Sequence, residues 1–357
     1  MKLPRIGMIG SHSAEEIGIA AKANGFPTVI VVQKGREKLY TKYNKHLYDE
    51  FIIVDSFKDV LQNEVQDKLL ELDTVWIPNR SFSVYVGYDE IENNFRIPVY
   101  GNRHILRVEE RGFPKDQYWL LRQSRVRIPK TFTPDEIDRL AIIKIQQKEK
   151  PLERAFFYAR SPSDYEKESQ RYLEKGIVSE DDLSNAIIEE FIIAPRFNAN
   201  FQAYGMHEIF GDLDFTGFDD RIQTNLSGLL NLPAREQIKL DVMTLNEEVG
   251  HKGVTMRESK KPLVYEAAEK LLTGVREHFP PQMIGLFSLQ GALTEESEFV
   301  VFDLSPRVPG APCVGPTSPE MRRLSLKYGK PVRSPLDLCM FDIKAAVESQ
   351  KLEEVLT

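Results

Sequence analysis

Between residues 4 and about 110 the chain alternates short β-branched runs with amphipathic stretches. RIGMIG (5–10) leads into SAEEIGIAAKANGF (13–26). TVIVV (28–32), FIIVD (51–55), a helical pattern near 57–71, TVWIP (74–78) and PVYG (98–101) follow. Apolar strands separated by helical periods predict βαβ units on a doubly wound parallel sheet, with Gly25 stopping the first helix. From about 111 the rhythm changes to a helix at YWLLRQ (118–123) and strands at RIPKTF (127–132), LAIIKIQ (140–146) and AFFYA (155–159). A polar helix to 175 and the strand AIIEEFII (186–193) complete an α+β module. Beyond 195, FNANFQAY (197–204) and LDFTGFDD (213–220) alternate as strands do, VYEAAEKLLTGVREHF (264–279) has a helical period, and MIGLFSLQGAL (283–293) and EFVVFDL (298–304) are strands. The segment 294–297 suits the hairpin turn between those two, and a Pro/Gly-rich loop from 307 precedes closing helices. The expected division is 1–110, 111–195 and 196–357.

A length of 357 residues suits two or three domains. With 28% charged residues and a net charge of -7, the composition is that of an ordinary mildly acidic globular protein. That balance argues against nucleic acid or a membrane surface as partner, since both favour a basic face. Cys313 and Cys339 have no metal-type spacing, and the six histidines form no HxH or HExxH pair. Gly7, Gly10 and the polar Ser11-His12 interrupt the first apolar run too early for a signal peptide, and a cytoplasmic location is expected.

Five places offer chemistry. Gly10-Ser11-His12-Ser13 joins a strand to a helix N-terminus, where free N–H groups favour an anion; Ser13 as a simple cap with His12 as a loop residue is the alternative. Asn79, Arg80 and Ser81 follow the next parallel strand, at the carboxyl edge where open α/β sheets bind ligands. Glu189, Glu190, Phe191 and Ile192 end a strand, where backbone groups can read an adenine edge and a carboxylate a ribose or amino group; solvated acids on an edge strand are the alternative. The hairpin sets Gln290 against Asp303, an oxygen pair suited to Mg²⁺ beside a triphosphate. Lys144, leaving a strand just before a loop, suits a nucleotide phosphate.

Taken in order, GSHSAEEI (10–17) with KANGF, IENNFRIPVYGNRHILRVEE (91–110), IIEEFI (187–192), DDRIQTN (219–225) with LPAREQ, MRES (256–259), PPQMIGLFSLQ (280–290) and FVVFDLSPRV (299–308) resemble the archaeal formate-dependent FAICAR synthetases of the ATP-grasp superfamily. The resemblance implies an ATP-grasp ligase, usually a homo-oligomer, that converts formate to formyl phosphate and passes the formyl group to the amine of the imidazole ribonucleotide AICAR. It further implies that His12, Ser13 and Ser81 contact the ribonucleotide, Lys144 an ATP phosphate, and Glu189, Glu190, Phe191 and Ile192 the nucleoside. Arg221, Asn225, Arg257, Glu258 and Arg307 would line the reaction centre, and Gln290 and Asp303 would hold Mg²⁺.

The chain departs from that pattern where phosphates would be gripped. QQKEKPLER (146–154) replaces a glycine-rich loop, and no glycine occurs between 113 and 175, so Lys148, Lys150 and Arg154 side chains stand where backbone amides are expected. Trp119 falls where a second ATP-contacting lysine is expected, and Asp303 where glutamate is usual. A paralogue that binds a nucleotide or imidazole ribonucleotide without turnover is therefore the alternative to an active ligase.

Overall fold

A computed structural model describes residues 2–110, 112–145, 156–240, 248–310, 315–316 and 318–357. The first layer is a parallel sheet in the order β3-β2-β1-β4, from β1 (Arg5–Ile9), β2 (Thr28–Gln33), β3 (Glu50–Val54) and β4 (Thr74–Trp76). β1, β2 and β4 are buried on both faces, which is why they read as continuous apolar runs. PVYG contributes only isolated bridges, Val99 to Trp76 and Tyr100 to Leu356, rather than a strand. Pro98 sets the reason, since it has no N–H to donate to a ladder.

A small antiparallel sheet follows in the order β5-β8-β6-β7, from β5 (Thr131–Phe132), β6 (Ala141–Lys144), β7 (Phe156–Ala159) and β8 (Ile187–Glu190). The third and largest sheet is antiparallel, in the order β11-β10-β9-β12-β13, from β9 (Arg196–Ala203), β10 (Leu213–Gln223), β11 (Glu248–Val254), β12 (Gly285–Leu293) and β13 (Phe299–Ser305). β11 is the strand that the hydrophobic pattern does not predict, because it carries no row of buried apolar residues.

Register explains the character of the third sheet. Directly opposed residues share a face, so the pairs Phe201–Phe287, Ala199–Leu289 and Leu289–Leu304 make one side apolar. That side packs on Val264, Ala268, Leu271 and Val275 of the helix Lys261–His278. The pairs Asn200–Ser288, Asn198–Gln290, Gln290–Asp303 and Ser288–Ser305 make the other side polar.

The chain's last segment returns to its beginning. Leu336, Cys339, Met340 and Ile343 of the helix Pro335–Glu348 pack in one core with Ile6, Met8, Ile17 and Ile30, and Thr357 exchanges backbone hydrogen bonds with Val99. The expected division 196–357 thus contains a closing helix that sits in the N-terminal core. Among the described residues no helix is long and apolar enough to cross a membrane.

Phe287 and Phe201 are fully buried and stacked, ring centroids 5.3 Å apart. Replacing Phe287 with alanine is expected to lower the unfolding free energy by about 3–5 kcal/mol in urea titration; a loss under about 1 kcal/mol would contradict this core.

Candidate active site

A sheet normally hides its apolar face and wets its polar one. Here the polar face of the third sheet is hidden as well. Asn200, Ser288, Ser305, Gln290 and Asn198 are all buried, and Asp219 of β10 is fully enclosed. Buried polar groups persist only where they have partners or a ligand to meet. Asp219 has partners: it accepts from Asn198 Nδ2 at 2.7 Å, Asn200 Nδ2 at 2.6 Å and His251 Nδ1 at 2.5 Å. Asn200 Oδ1 and Ser288 Oγ are buried without a hydrogen-bond partner among the described residues, and both residues line the same cleft.

The first sheet closes the cleft from above. β1 ends in the Ser11–Ser13 turn, where Ser13 adopts a left-handed conformation (φ 67°) and places no side-chain cap on the following helix. Its hydroxyl instead donates to the carbonyl of Pro309 at 3.1 Å, tying this turn to the loop after β13. Val308 N donates to Pro78 O in the same contact. His12 thereby lines the cleft with Arg221, Gln290 and Arg307. Ser81 begins a helix at the same sheet edge and is buried, whereas Asn79 is structural: it caps that helix by accepting from Phe82 N and donates to Ile9 O.

The charges are ordered. Both ring nitrogens of His251 face carboxylates, Nδ1 to Asp219 and Nε2 to Glu248 Oε1 at 2.7 Å, so both carry protons. Burial lowers its pKa, but the two carboxylates outweigh burial and raise it to about 9. His12 behaves oppositely: burial, reinforced by Arg307, lowers its pKa to about 4 against the pull of Glu248, and it is neutral near pH 7. Glu248 also lies 3.2 Å from Arg221 Nε. Arg307 is held by Glu109 at 2.5 Å and 3.2 Å, and Glu109 in turn meets Arg80, which also binds Glu110. Arg80 is thus compensated by two glutamates.

The predicted residues Asp303, Asn225, Arg257 and Glu258 are less enclosed. Asp303 is the register partner of Gln290 and partly exposed. Asn225 lies on the short helix Thr224–Leu229 that ends β10. Arg257 and Glu258 are exposed beyond the end of β11 and do not line the cleft. The register accounts for this, because His251 opposes Arg221 while Arg257 lies three residues past the last paired position, Val254.

In the small sheet, Lys144 Nζ donates to Glu189 Oε2 at 2.6 Å, and Tyr118 OH reaches the same oxygen at 2.9 Å. Glu190 is bound by Arg127 and Arg139. Phe191 packs edge-on against Tyr158 and lies under Arg196, and Ile192 follows it out of the sheet, partly buried. Trp119 contacts His278 and Phe279, with Lys115 over its ring. It therefore faces the helix Lys261–His278 rather than the Lys144–Glu189 pair. Residues 146–154, with Lys148, Lys150 and Arg154, lie outside the described residues.

Asn198, Asn200, Asp219, Glu248 and His251 are cleft residues that the sequence reading passed over. One signal was present. In FNANFQA the residues alternating with the apolar positions are amides, Asn198, Asn200 and Gln202, where a solvated strand usually carries charged or hydroxyl groups.

The chain matches two family models, a protein of unknown function (DUF1246) over residues 6–132 and a domain of unknown function (DUF1297) over residues 164–357. A relative from Methanocaldococcus jannaschii, named 5-formaminoimidazole-4-carboxamide-1-(beta)-D-ribofuranosyl 5'-monophosphate synthetase, is 35% identical over 85% of this chain and 82% of its own. One of the same name from Methanothermobacter thermautotrophicus is 33% identical over 99% of this chain and 94% of its own. Among solved structures, the IMP biosynthesis protein PurP of Thermococcus kodakaraensis superposes with a TM-score of 0.69 at 21% identity, covering 99% of this chain and all of that one. An N5-carboxyaminoimidazole ribonucleotide synthetase from Thermotoga maritima gives 0.57 at 13% identity over 96% of this chain and 76% of that one. The fold is the ATP-grasp architecture with an N-terminal parallel-sheet domain.

The His251 charge state can be measured. Its folded pKa lies above its unfolded value, so its contribution to stability is complete below pH 6.5 and fades as pH rises through about 9. The unfolding free energy of wild type minus that of His251→Gln is expected to shrink between pH 7 and pH 10. A difference independent of pH would show that the imidazole is not held protonated.

Proposed function

The chain belongs to the 5-formaminoimidazole-4-carboxamide ribonucleotide synthetase family, and on that premise we propose that it is an ATP-dependent ligase joining formate to AICAR. A formate oxygen takes the terminal phosphoryl group of ATP, releasing ADP. The AICAR amine then attacks the formyl carbon, and phosphate leaves as the amine loses a proton. Formate is unreactive towards an amine until that leaving group is installed.

The observation that carries this reading is the buried polar sheet face meeting His12 beneath the Ser13–Pro309 contact, with Arg221 and Arg307 beside it. An acyl phosphate and an amine need an enclosed place with fixed cations and hydrogen-bonding groups, away from bulk water. Neutral His12, with Ser13 and Ser81, suits the uncharged polar groups of a ribonucleotide. Arg221 and Arg307 offset phosphate charge, with Asn225 on the short helix that follows β10; Arg257 and Glu258 would join only if their segment closes inward on the substrates.

ATP would lie along the small sheet, with Lys144 reaching a phosphate and Glu189, Glu190, Phe191 and Ile192 bordering the nucleoside. Lys144 is half-buried and already fixed by Glu189, which suits a positioned cation. Gln290 and Asp303 supply one amide and one carboxylate oxygen, donors that Mg²⁺ accepts while leaving positions for phosphate. Bound there, Mg²⁺ would neutralise charge on the transferring phosphoryl group.

With ATP, Mg²⁺, formate and AICAR, phosphate release is expected to depend on formate and to be matched by FAICAR formation; release indifferent to formate would end the ligase reading. Asp303→Asn is expected to cut turnover by about 100-fold or more while leaving AICAR binding, read by calorimetry, nearly unchanged. Surviving turnover would remove Asp303 from the metal site.

A further inference from the structure

Glu248 occupies an unusual place. Its carboxylate extends from the edge strand β11 into the cleft, one oxygen 2.7 Å from His251 Nε2 and 4.0 Å from His12 Nε2, the other 3.2 Å from Arg221 Nε. These groups converge on one small volume. A Cβ added at Gly310 would lie 2.8 Å from His251 Nε2, 3.0 Å from His12 Nε2 and 3.1 Å from Glu248 Oε1. A methyl group there would be too close to His251 without a shift of its neighbours, so the convergence of these groups depends on the missing side chain at 310.

The fit of Glu248 to this space is incomplete. Arg221 Nε is close to the carboxylate but misaligned, and it is buried without a hydrogen bond. Asn200 Oδ1 and Ser288 Oγ, both at least nine-tenths buried on the cleft floor, also have no partner among the described residues. The charges define what else could enter. His251 is compensated by Asp219 and Arg307 by Glu109, whereas Arg221 has Glu248 as its ion-pair partner among the described residues. If Glu248 swings out, one positive charge is left over. One monoanion would restore neutrality.

We propose that the Glu248 carboxylate is an internal stand-in for the small carboxylate substrate, occupying the subsite formed by Arg221, His251 and the Gly310 backbone until free carboxylate displaces it. The inference rests on the ligase reading for the identity of that carboxylate as formate. A tethered group competes at a high effective concentration, so formate binds only by driving Glu248 out. Removing the tethered carboxylate lowers the formate concentration needed. Glu248 then acts as a gate, releasing Arg221 and protonated His251 to formate and swinging away from the volume where phosphoryl transfer occurs. Gly310 limits the subsite to the smallest carboxylates.

The test needs neither ATP nor turnover. The Cε1–H resonance of His251, assigned with His251→Gln, is followed during titration with sodium formate at constant ionic strength, with sodium chloride and sodium acetate as controls. In Glu248→Ala the formate-dependent shift is expected to half-saturate at a concentration about 10-fold lower than in wild type. Glu248→Gln, which keeps the shape of the side chain, is expected to fall between them, and Glu248→Ala/Arg221→Gln to lose the gain. Acetate is expected to respond more weakly than formate. Equal half-saturation in wild type and both Glu248 variants, weaker formate binding when Glu248 is removed, or the same shift with chloride would each overturn the proposal. A gain in formate binding by a protein that makes no FAICAR would leave the subsite standing and end the ligase reading instead.

Discussion

The enclosure of Asp219 is the constraint from which the active face of the third sheet follows. A carboxylate removed from water is strongly unfavourable unless hydrogen bonds and an opposite charge replace its hydration. Asn198, Asn200 and His251 do so, and each is thereby fixed in direction. The two amides are held on β9, and the imidazole draws the edge strand β11 against β10. Because His251 is protonated by this arrangement, it presents its second N–H to the cleft as a permanent donor at neutral pH. An anion entering there would meet cations already oriented and requiring little reorganisation.

The other layers supply a roof and hold it at a fixed height. The Ser13–Pro309 and Val308–Pro78 contacts join the parallel sheet to the end of β13, where Arg307 is anchored by Glu109. On the far side, Asp342 accepts from Tyr100 OH and from the amides of Gly205 and Met206, linking the closing helix, the N-terminal layer and the end of β9. Burial lifts the Asp342 carboxyl to about 6 despite those donors. The cleft is therefore framed by segments distant in sequence, and its width is set by polar contacts rather than by apolar packing alone.

The alternation of apolar and polar residues made most of this architecture readable. β1, β2 and the helix after β1 stand where their periods put them, because strands buried on both faces and a one-sided helix have unmistakable patterns. β11 was invisible for the opposite reason: EVGHKGV has two glycines, and its residues are exposed or only partly buried on both faces. His12, Arg221, Gln290 and Arg307 were legible because each lies beside a recognisable turn or hairpin or within a family motif. Asp219 and His251 were not, since their significance comes from a pairing across 32 residues that no local period encodes. Trp119 contacts His278 and Phe279 instead of the Lys144–Glu189 pair. One residue along a helix turns a side chain by about 100°, and it is neighbouring Tyr118 that points to Glu189.

The central claim is that the buried polar face of the third sheet is the substrate floor. A crystal structure of the protein with AICAR tests it most directly. The expected result is ligand density in the cleft beneath His12, with polar atoms of the ligand or its bridging waters within hydrogen-bond distance of Asn200 Oδ1 or Ser288 Oγ. Density at another surface, with both of those atoms still unpartnered, would contradict it.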